Sequence, residues 1–246
     1  LLEGIGLSVH VLFGPESGGV REWQQIPKAN FNILVSPWYG LPIAEHLEEV
    51  YGQPFTQYPN IPIGANETER FLRQVLAFAN EQGAELDLDA AEKFIRQERE
   101  AYYEEIDNLA TFLLEFRYGL PNHVHIVHEV GIVPKEQFAV DNTPKRFQEQ
   151  IAAELQSTSD KKVIPLAFEP DAGKVQDTIR SLHHGGRGLI IGSGWDKELA
   201  REKDYDFLSA SVPTPYRLVM TTNYVGFSGG LRVIEDIYGT VLATYR

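Results

Sequence analysis

RGLIIGSGWDKELAREKDYDFLSASVP, running from Arg187 to Pro213, holds one complete unit of the fold. An apolar strand at Gly188–Ile191 ends in Gly192-Ser193-Gly194, a charged helix follows at once in DKELAREKD, and a second apolar strand fills Phe207–Val212. Two nearly continuous apolar strands joined by a helix read as a parallel pair buried on both faces. The alternation extends outward over the chain. Further strands are expected at Val9–Phe13, Asn32–Val35, Pro54–Tyr58, His123–Val127, Gln137–Val140 and Val163–Phe168. Between most of them lie amphipathic stretches: GVREWQQIPKA, LPIAEHLEEVYG, TPKRFQEQIAAELQ and GKVQDTIRSLHHG. The class is α/β, with doubly wound parallel sheets.

Two longer helices interrupt this rhythm. Asn66–Gln82 closes the first series, with Glu67 and Glu69 near its positive N-terminal end. LDLDAAEKFIRQEREAYYEEIDNLATFLLEF then reads as a helix of about eight turns, capped by Asp89 with Glu92 and stopped by YGLP. Its expected core stripe is Phe94, Ala101, Ile106, Leu109, Leu113 and Phe116. A helix of this length between two α/β series bridges domains, which places one domain at 1–85, the bridge at 86–118 and a second domain at 119–246. One junction is too short: nine residues, 128–136, separate HVHIV from EQFAV, where a parallel crossover needs about a dozen or more. A segment absent from this sequence is expected there. The opening LLEGIGL has no Met, and Met220 is the one methionine, so the native chain is expected to be longer.

Composition narrows the function classes. Across 246 residues, 22 basic against 35 acidic side chains give a net charge of -13, which argues against a nucleic-acid or anionic-membrane surface built on clustered Lys and Arg. No apolar run approaches the ~18 residues of a membrane span. The chain has no cysteine, which rules out disulfides, thiolate zinc sites, a cysteine nucleophile and self-contained iron–sulfur ligation. That composition also suggests an intracellular, cytoplasmic location.

Local motifs supply no chemistry. The turn Ile190–Glu198 (IIGSGWDKE) offers backbone N–H groups to an anion, but Asp196 opposes one, and Lys197 stands where a G-x-G-x-x-G fingerprint needs glycine. EPDAGKV has Phe168 and Val175 where a P-loop requires glycine and a hydroxyl. FGPESGG reads as a loop. In HVHIVH, His123 and His125 share a strand face without a nearby carboxylate, and His183-His184 suit a helix C-terminus. Ser36 lacks a nucleophile elbow, and Glu104, Glu105 and Asp107 lie on a solvated helix face. No catalytic, cofactor-binding or metal-ligating residue is nominated.

Three longer stretches together resemble one family. FNILVSPWYGLPIAEHLEEVYGQPF followed by PNIPIGANETERFLRQV is similar to the middle domain of nitrogenase component 1 proteins. VPKEQFAVDNTPKRFQEQI resembles the turn into a helix of their last domain, and LIIGSGWDKELA with VPTPYRLVMTTNYVGFSGGLRVIEDIYGTVL resembles that domain's end. The resemblance implies two Rossmann-like domains, the second and third of a three-domain chain. In the α-like chain of this family a cofactor-ligating histidine directly precedes a GF-x-GF segment; here VGFSGG carries Val225 at that place. With the absence of cysteine, this points to the β-like chain, and PWYG and IPIGANET are most similar to vanadium-type, iron-only and related β chains.

The resemblance further implies reduction of dinitrogen to ammonia, with electrons from an ATP-hydrolysing iron protein. An 8Fe-7S cluster shared with the α chain would have its ligands outside this segment, which binds no cofactor alone. The implied partners are the α chain, a second β chain and the iron protein, with no nucleic acid and no membrane. Trp38, Tyr39 and Trp195 are candidate interface anchors or core residues. Two alternatives stand beside this reading: a non-catalytic scaffold of the same family on which a cofactor is assembled, and a two-domain small-molecule receptor or nucleotide-sugar enzyme.

Overall fold

The computed structural model describes residues 1–11, 17–115, 135–157, 166–183, 188–211, 213–219 and 222–244. Its strands pair in parallel and alternate with helices in a Rossmann-type α/β fold. The chain forms two compact units, Leu1–His123 with Val225–Gly230, and Val124–Tyr224 with Leu231–Arg246.

In the first unit, a short helix α1 (Val20–Trp23) precedes the parallel pair β1 (Asn32–Val35) and β2 (Phe55–Tyr58), in register from Asn32 opposite Phe55 to Val35 opposite Tyr58. Helix α2 (Leu41–Tyr51) makes the crossover that a parallel pair requires. Gly52 ends it in the left-handed region, φ 66°, with its N–H donating to Glu48 O, a conformation a Cβ would oppose. Buried Gln53 fixes the approach to β1: its amide donates to Ile26 O at 2.6 Å and Ala29 O at 2.8 Å and accepts from Asn32 Nδ2. Helix α3 (Gly64–Glu81) buries Ala65, Thr68, Phe71, Leu72, Val75, Leu76 and Ala79, the three-and-four spacing of one helix face. Tyr58 is fully buried beneath it, edge-on to Phe71, and its hydroxyl donates to the Glu67 carboxylate at 2.8 Å.

Helix α4 (Leu88–Glu115) is 28 residues long. Its cap is Asp87, whose carboxylate accepts from Ala90 N at 3.0 Å, rather than the expected Asp89, which lies in the first turn. The buried positions are Ala91, Ile95, Tyr102 and Ile106, whereas Ala101 is exposed and Phe94 half-buried. The true stripe is thus turned from the expected one, because α4 packs on α3 and on a short 3-10 turn, Glu3–Ile5, that carries buried Ile5. Leu109, Leu113 and Phe116 lie beyond the described side chains.

The second unit holds two parallel pairs. Strand β3 (Gln137–Ala139) pairs with β4 (Leu166–Phe168), and β5 (Leu189–Gly192) pairs with β6 (Asp206–Ser209). Helices α5 (Lys145–Ser157), α6 (Ala172–Ser181) and α7 (Lys197–Glu202) intervene. Strand β6 stops three residues earlier than expected, because Ala210 N and Ser211 N both turn back to Gly192 O. The final helix α8 (Gly226–Thr244), unassigned from the sequence pattern, buries Phe227 in the first unit and Ile234 and Ile237 in the second. Val9–Val11 form no strand; the remainder of that expected strand, and the one at His123–Val127 with the short junction after it, lie outside the described residues.

Candidate functional site

In Rossmann-type folds, ligands settle where strands end and helices begin. Here the turns after β1, β4 and β5 are closed by their own side chains. After β5, Ser193 N and Ser193 Oγ both donate to Asp196 Oδ2, at 2.9 and 3.1 Å, and Gly194 N donates to Pro213 O at 2.7 Å. A carboxylate of the chain therefore occupies the place an anion would take. After β4, Asp171 Oδ1 accepts from Gly173 N at 2.9 Å and caps α6, while Lys174 pairs with Glu169 at 3.7 Å. After β1, Ser36 Oγ accepts from Trp38 N and Tyr39 N, and Gln57 donates to Ser36 O and Pro37 O, both at 2.9 Å. The described part of FGPESGG is likewise self-contained, since Gly18 N donates to Glu22 Oε1 at 2.7 Å.

A groove of about 480 Å3 in the first unit runs along α3 and α4 and is lined by Glu69, Arg73, Glu92, Arg96, Arg99 and Glu100 with Tyr103. Arg73 bridges Glu69 and Glu92, and Arg99 reaches Glu69 at 3.1 Å. This is a solvated ion-pair ladder that ties two helices together, of small energetic weight per pair. Among the described residues, no group of three or more His, Asp or Glu could hold a metal ion. His183 Nδ1 lies 2.8 Å from Ser181 O at the end of α6; His123, His125, His128 and His184 fall outside the described residues. Glu104, Glu105 and Asp107 are exposed. Tyr39 and Trp195 stand 75% and 72% exposed on their rigid turns, whereas Trp38 is half-buried.

Sequence reasoning missed one polar cluster, in the second unit. Arg217 Nη2 pairs with Asp236 Oδ2 at 2.7 Å, and Arg217 Nη1 donates to Tyr224 Oη, which itself donates to Asp236 Oδ2 at 2.8 Å. Arg232 reaches the other carboxylate oxygen at 3.3 Å. Burial, reinforced by the hydrogen bond to Asp236, pushes the Tyr224 hydroxyl above its ordinary value. These residues stand 7 and 12 positions apart, across a loop and a helix, and no local spacing announces them. Val225, the neighbour of Tyr224, is 43% exposed just before α8 and has no atom that could ligate iron.

Iron–sulfur clusters are held by thiolates, and a chain with no cysteine does not fit that donor set. Any such group in the whole protein depends on residues elsewhere. Among the described residues, no helix is long and apolar enough to cross a membrane.

Comparison with known proteins follows the same line. One of the subunits of light-independent protochlorophyllide reductase from Leptolyngbya boryana is 22% identical over 249 residues, spanning 98% of this chain and 47% of that protein. The corresponding protein of Picosynechococcus sp. is 33% identical over 90 residues, 37% of this chain and 17% of its own length. The chain thus spans less than half the length of these curated relatives. A solved structure, "Nitrogenase Cp1 at pH 6.5", superposes with a TM-score of 0.65 at 20% identity, covering 96% of this chain and 51% of that one, which speaks for the fold alone. The family model for nitrogenase component 1 type oxidoreductases matches residues 1–242, and the chain belongs to that family.

Proposed function

We propose that the chain is the second and third domains of the β-like subunit of a nitrogenase component 1 type complex, working in the cytoplasm beside an α chain, a second β chain and an ATP-hydrolysing iron protein in the reduction of dinitrogen. The observation that carries the reading is Val225, within a family match over residues 1–242; by the resemblance of VGFSGG to GF-x-GF, it takes the place of the ligating histidine of the α-like chain. This chain's part is structural. The turns after β1 and β5 have polar groups satisfied internally, and Tyr39 and Trp195 are held outward on them as anchors for partner subunits.

A second reading concerns the substrate. The curated relatives reported above, over a short stretch and over nearly the whole chain alike, are subunits of light-independent protochlorophyllide reductase, which favours reduction of protochlorophyllide by the same kind of complex. The test is to recover the native complex through a tag on this chain and supply the iron protein, ATP and a low-potential reductant. Ammonia production from dinitrogen and conversion of protochlorophyllide would be assayed side by side. Ammonia is the expected product. Tetrapyrrole reduction without ammonia establishes the second reading. Inactivity towards both substrates, with a loaded cofactor that transfers to another protein, identifies an assembly scaffold and overturns both.

A further inference from the structure

At the carboxyl end of β6 a recess of about 110 Å3 opens, lined by Ser209, Thr214, Arg217, Thr222, Asn223 and Tyr224 among others. Three features set it apart from the self-closed turns. Ser209 is 7% exposed, and its buried hydroxyl has no hydrogen-bond partner among the described residues, an expensive state for a polar group. Among the described residues, the lining carries one cation and no carboxylate, in a chain whose net charge is -13. Arg217 is held in place through Asp236 and Tyr224, and these contacts leave part of its five-donor guanidinium for a further acceptor.

We propose that this recess binds a small oxyanion, the carboxylate or phosphate group of a ligand. The hydroxyls of Ser209, Thr214 and Thr222, an amide and a guanidinium line it, and each is a group that can donate. Liquid water occupies ~30 Å3 per molecule, so the volume admits one carboxylate or phosphate group with little to spare and excludes a whole nucleotide. The position obeys the rule that ligands of parallel sheets lie beyond the strands' carboxyl ends. At β5 that position is taken by Asp196; at β6 no acidic side chain lines it among the described residues. The site belongs to the second unit alone and stands whichever substrate the complex reduces.

Equilibrium dialysis of the intact complex against radiolabelled inorganic phosphate, and separately against acetate, tests the proposal in a chloride-free buffer of low ionic strength. One saturable site per copy of this chain is expected. Ser209→Ala should weaken it by about fivefold, the worth of one hydrogen bond. Arg217→Lys should weaken it by about tenfold or more, since the planar fork is lost. Binding of phosphate alone identifies a phosphate group, binding of acetate alone a carboxylate, and both probes an oxyanion in general. Absence of saturable binding for both probes overturns the proposal, and so does binding that neither variant changes. Should Arg217→Lys fail to fold, Ser209→Ala decides alone, because its hydroxyl has no hydrogen-bond partner among the described residues.

Discussion

Alanine at Gly230 and alanine at Gly239 should move stability in opposite directions, although both lie inside α8. On local grounds each substitution favours the helix by ~1 kcal/mol. Gly239 is exposed, and a Cβ there meets nothing within 4 Å, so the gain should appear undiminished. A Cβ at Gly230 would fall 2.5 Å from Gly64 Cα, 2.8 Å from Gly64 N and 3.0 Å from Tyr102 Cε2. Carbon atoms rest about 3.5–4.0 Å apart, so the backbone at the start of α3 must retreat by about 1 Å. That retreat would pull on the bridge between Ile63 and Gly226 and on the 2.8 Å bond from Gly226 N to Pro62 O. Because backbone opposes the new methyl, no rotamer change relieves it, and the cost belongs at the upper end of the ~1–3 kcal/mol seen for overpacking. Subtracting the helical gain leaves a loss of about 2 kcal/mol, or about 4–8 °C in Tm for a chain of this size. Calorimetry of both variants in the full-length protein measures this directly. Equal melting temperatures, or a Gly230→Ala variant more stable than the parent, would refute the close approach of α8 and α3.

Three further outcomes are expected. Burial and the Glu67 carboxylate raise the Tyr58 hydroxyl above its ordinary value, so the folded state keeps that proton after the unfolded chain has released it. The corresponding stability is complete below pH ~10 and is lost as pH climbs from there towards the folded value; Tyr58→Phe should flatten that decline by up to ~1.4 kcal/mol per pH unit, read from urea melts between pH ~10 and ~12. Gln53→Ala leaves the carbonyls of Ile26 and Ala29 without their shared donor and should cost about 2–3 kcal/mol, visible as a lower urea midpoint. Asp236→Asn removes the charge shared by Arg217 and Arg232 and should cost about 2 kcal/mol, with a melting temperature less sensitive to added salt than the parent's.

The α/β class was legible because periodicity is local. The strand at Asn32–Val35, the helix beginning at Leu41 and the Pro42-to-Gly52 frame around it are written in consecutive residues, and the structure follows them. What failed to read was set by packing. The buried face of α4 is Ala91, Ile95, Tyr102 and Ile106, and nothing in α4 itself distinguishes that face from the neighbouring one carrying Phe94; the choice is made by α3 and the Glu3–Ile5 turn. Likewise Asp87 outcompetes Asp89 as the cap because its carboxylate reaches Ala90 N, a matter of where the helix starts rather than of residue type. The recess at β6 was invisible for a related reason. It draws Ser209 from a strand and Arg217 and Tyr224 from a loop, and its one local clue, a serine ending an apolar strand, is too common to single out.

The two tryptophan turns explain why a fold suited to nucleotides carries so little ligand chemistry here. Ser36-Pro37-Trp38 follows β1 and Ser193-Gly194-Trp195 follows β5, and in each the serine hydroxyl accepts from the tryptophan N–H at 3.3 Å. A dinucleotide site needs those N–H groups free and a glycine-lined approach to the helix start. Both turns instead spend them on their own side chains, which makes the turn rigid and removes its affinity for phosphate together. A rigid turn with an exposed aromatic loses little entropy when a protein surface covers it. On the proposed function, Tyr39 and Trp195, each more than two-thirds exposed, would be buried by partner subunits. Alanine at either position in the whole complex should weaken subunit association while leaving the melting temperature of the isolated chain unchanged. A fall in that melting temperature comparable to the loss of a core residue would assign these side chains to the fold instead.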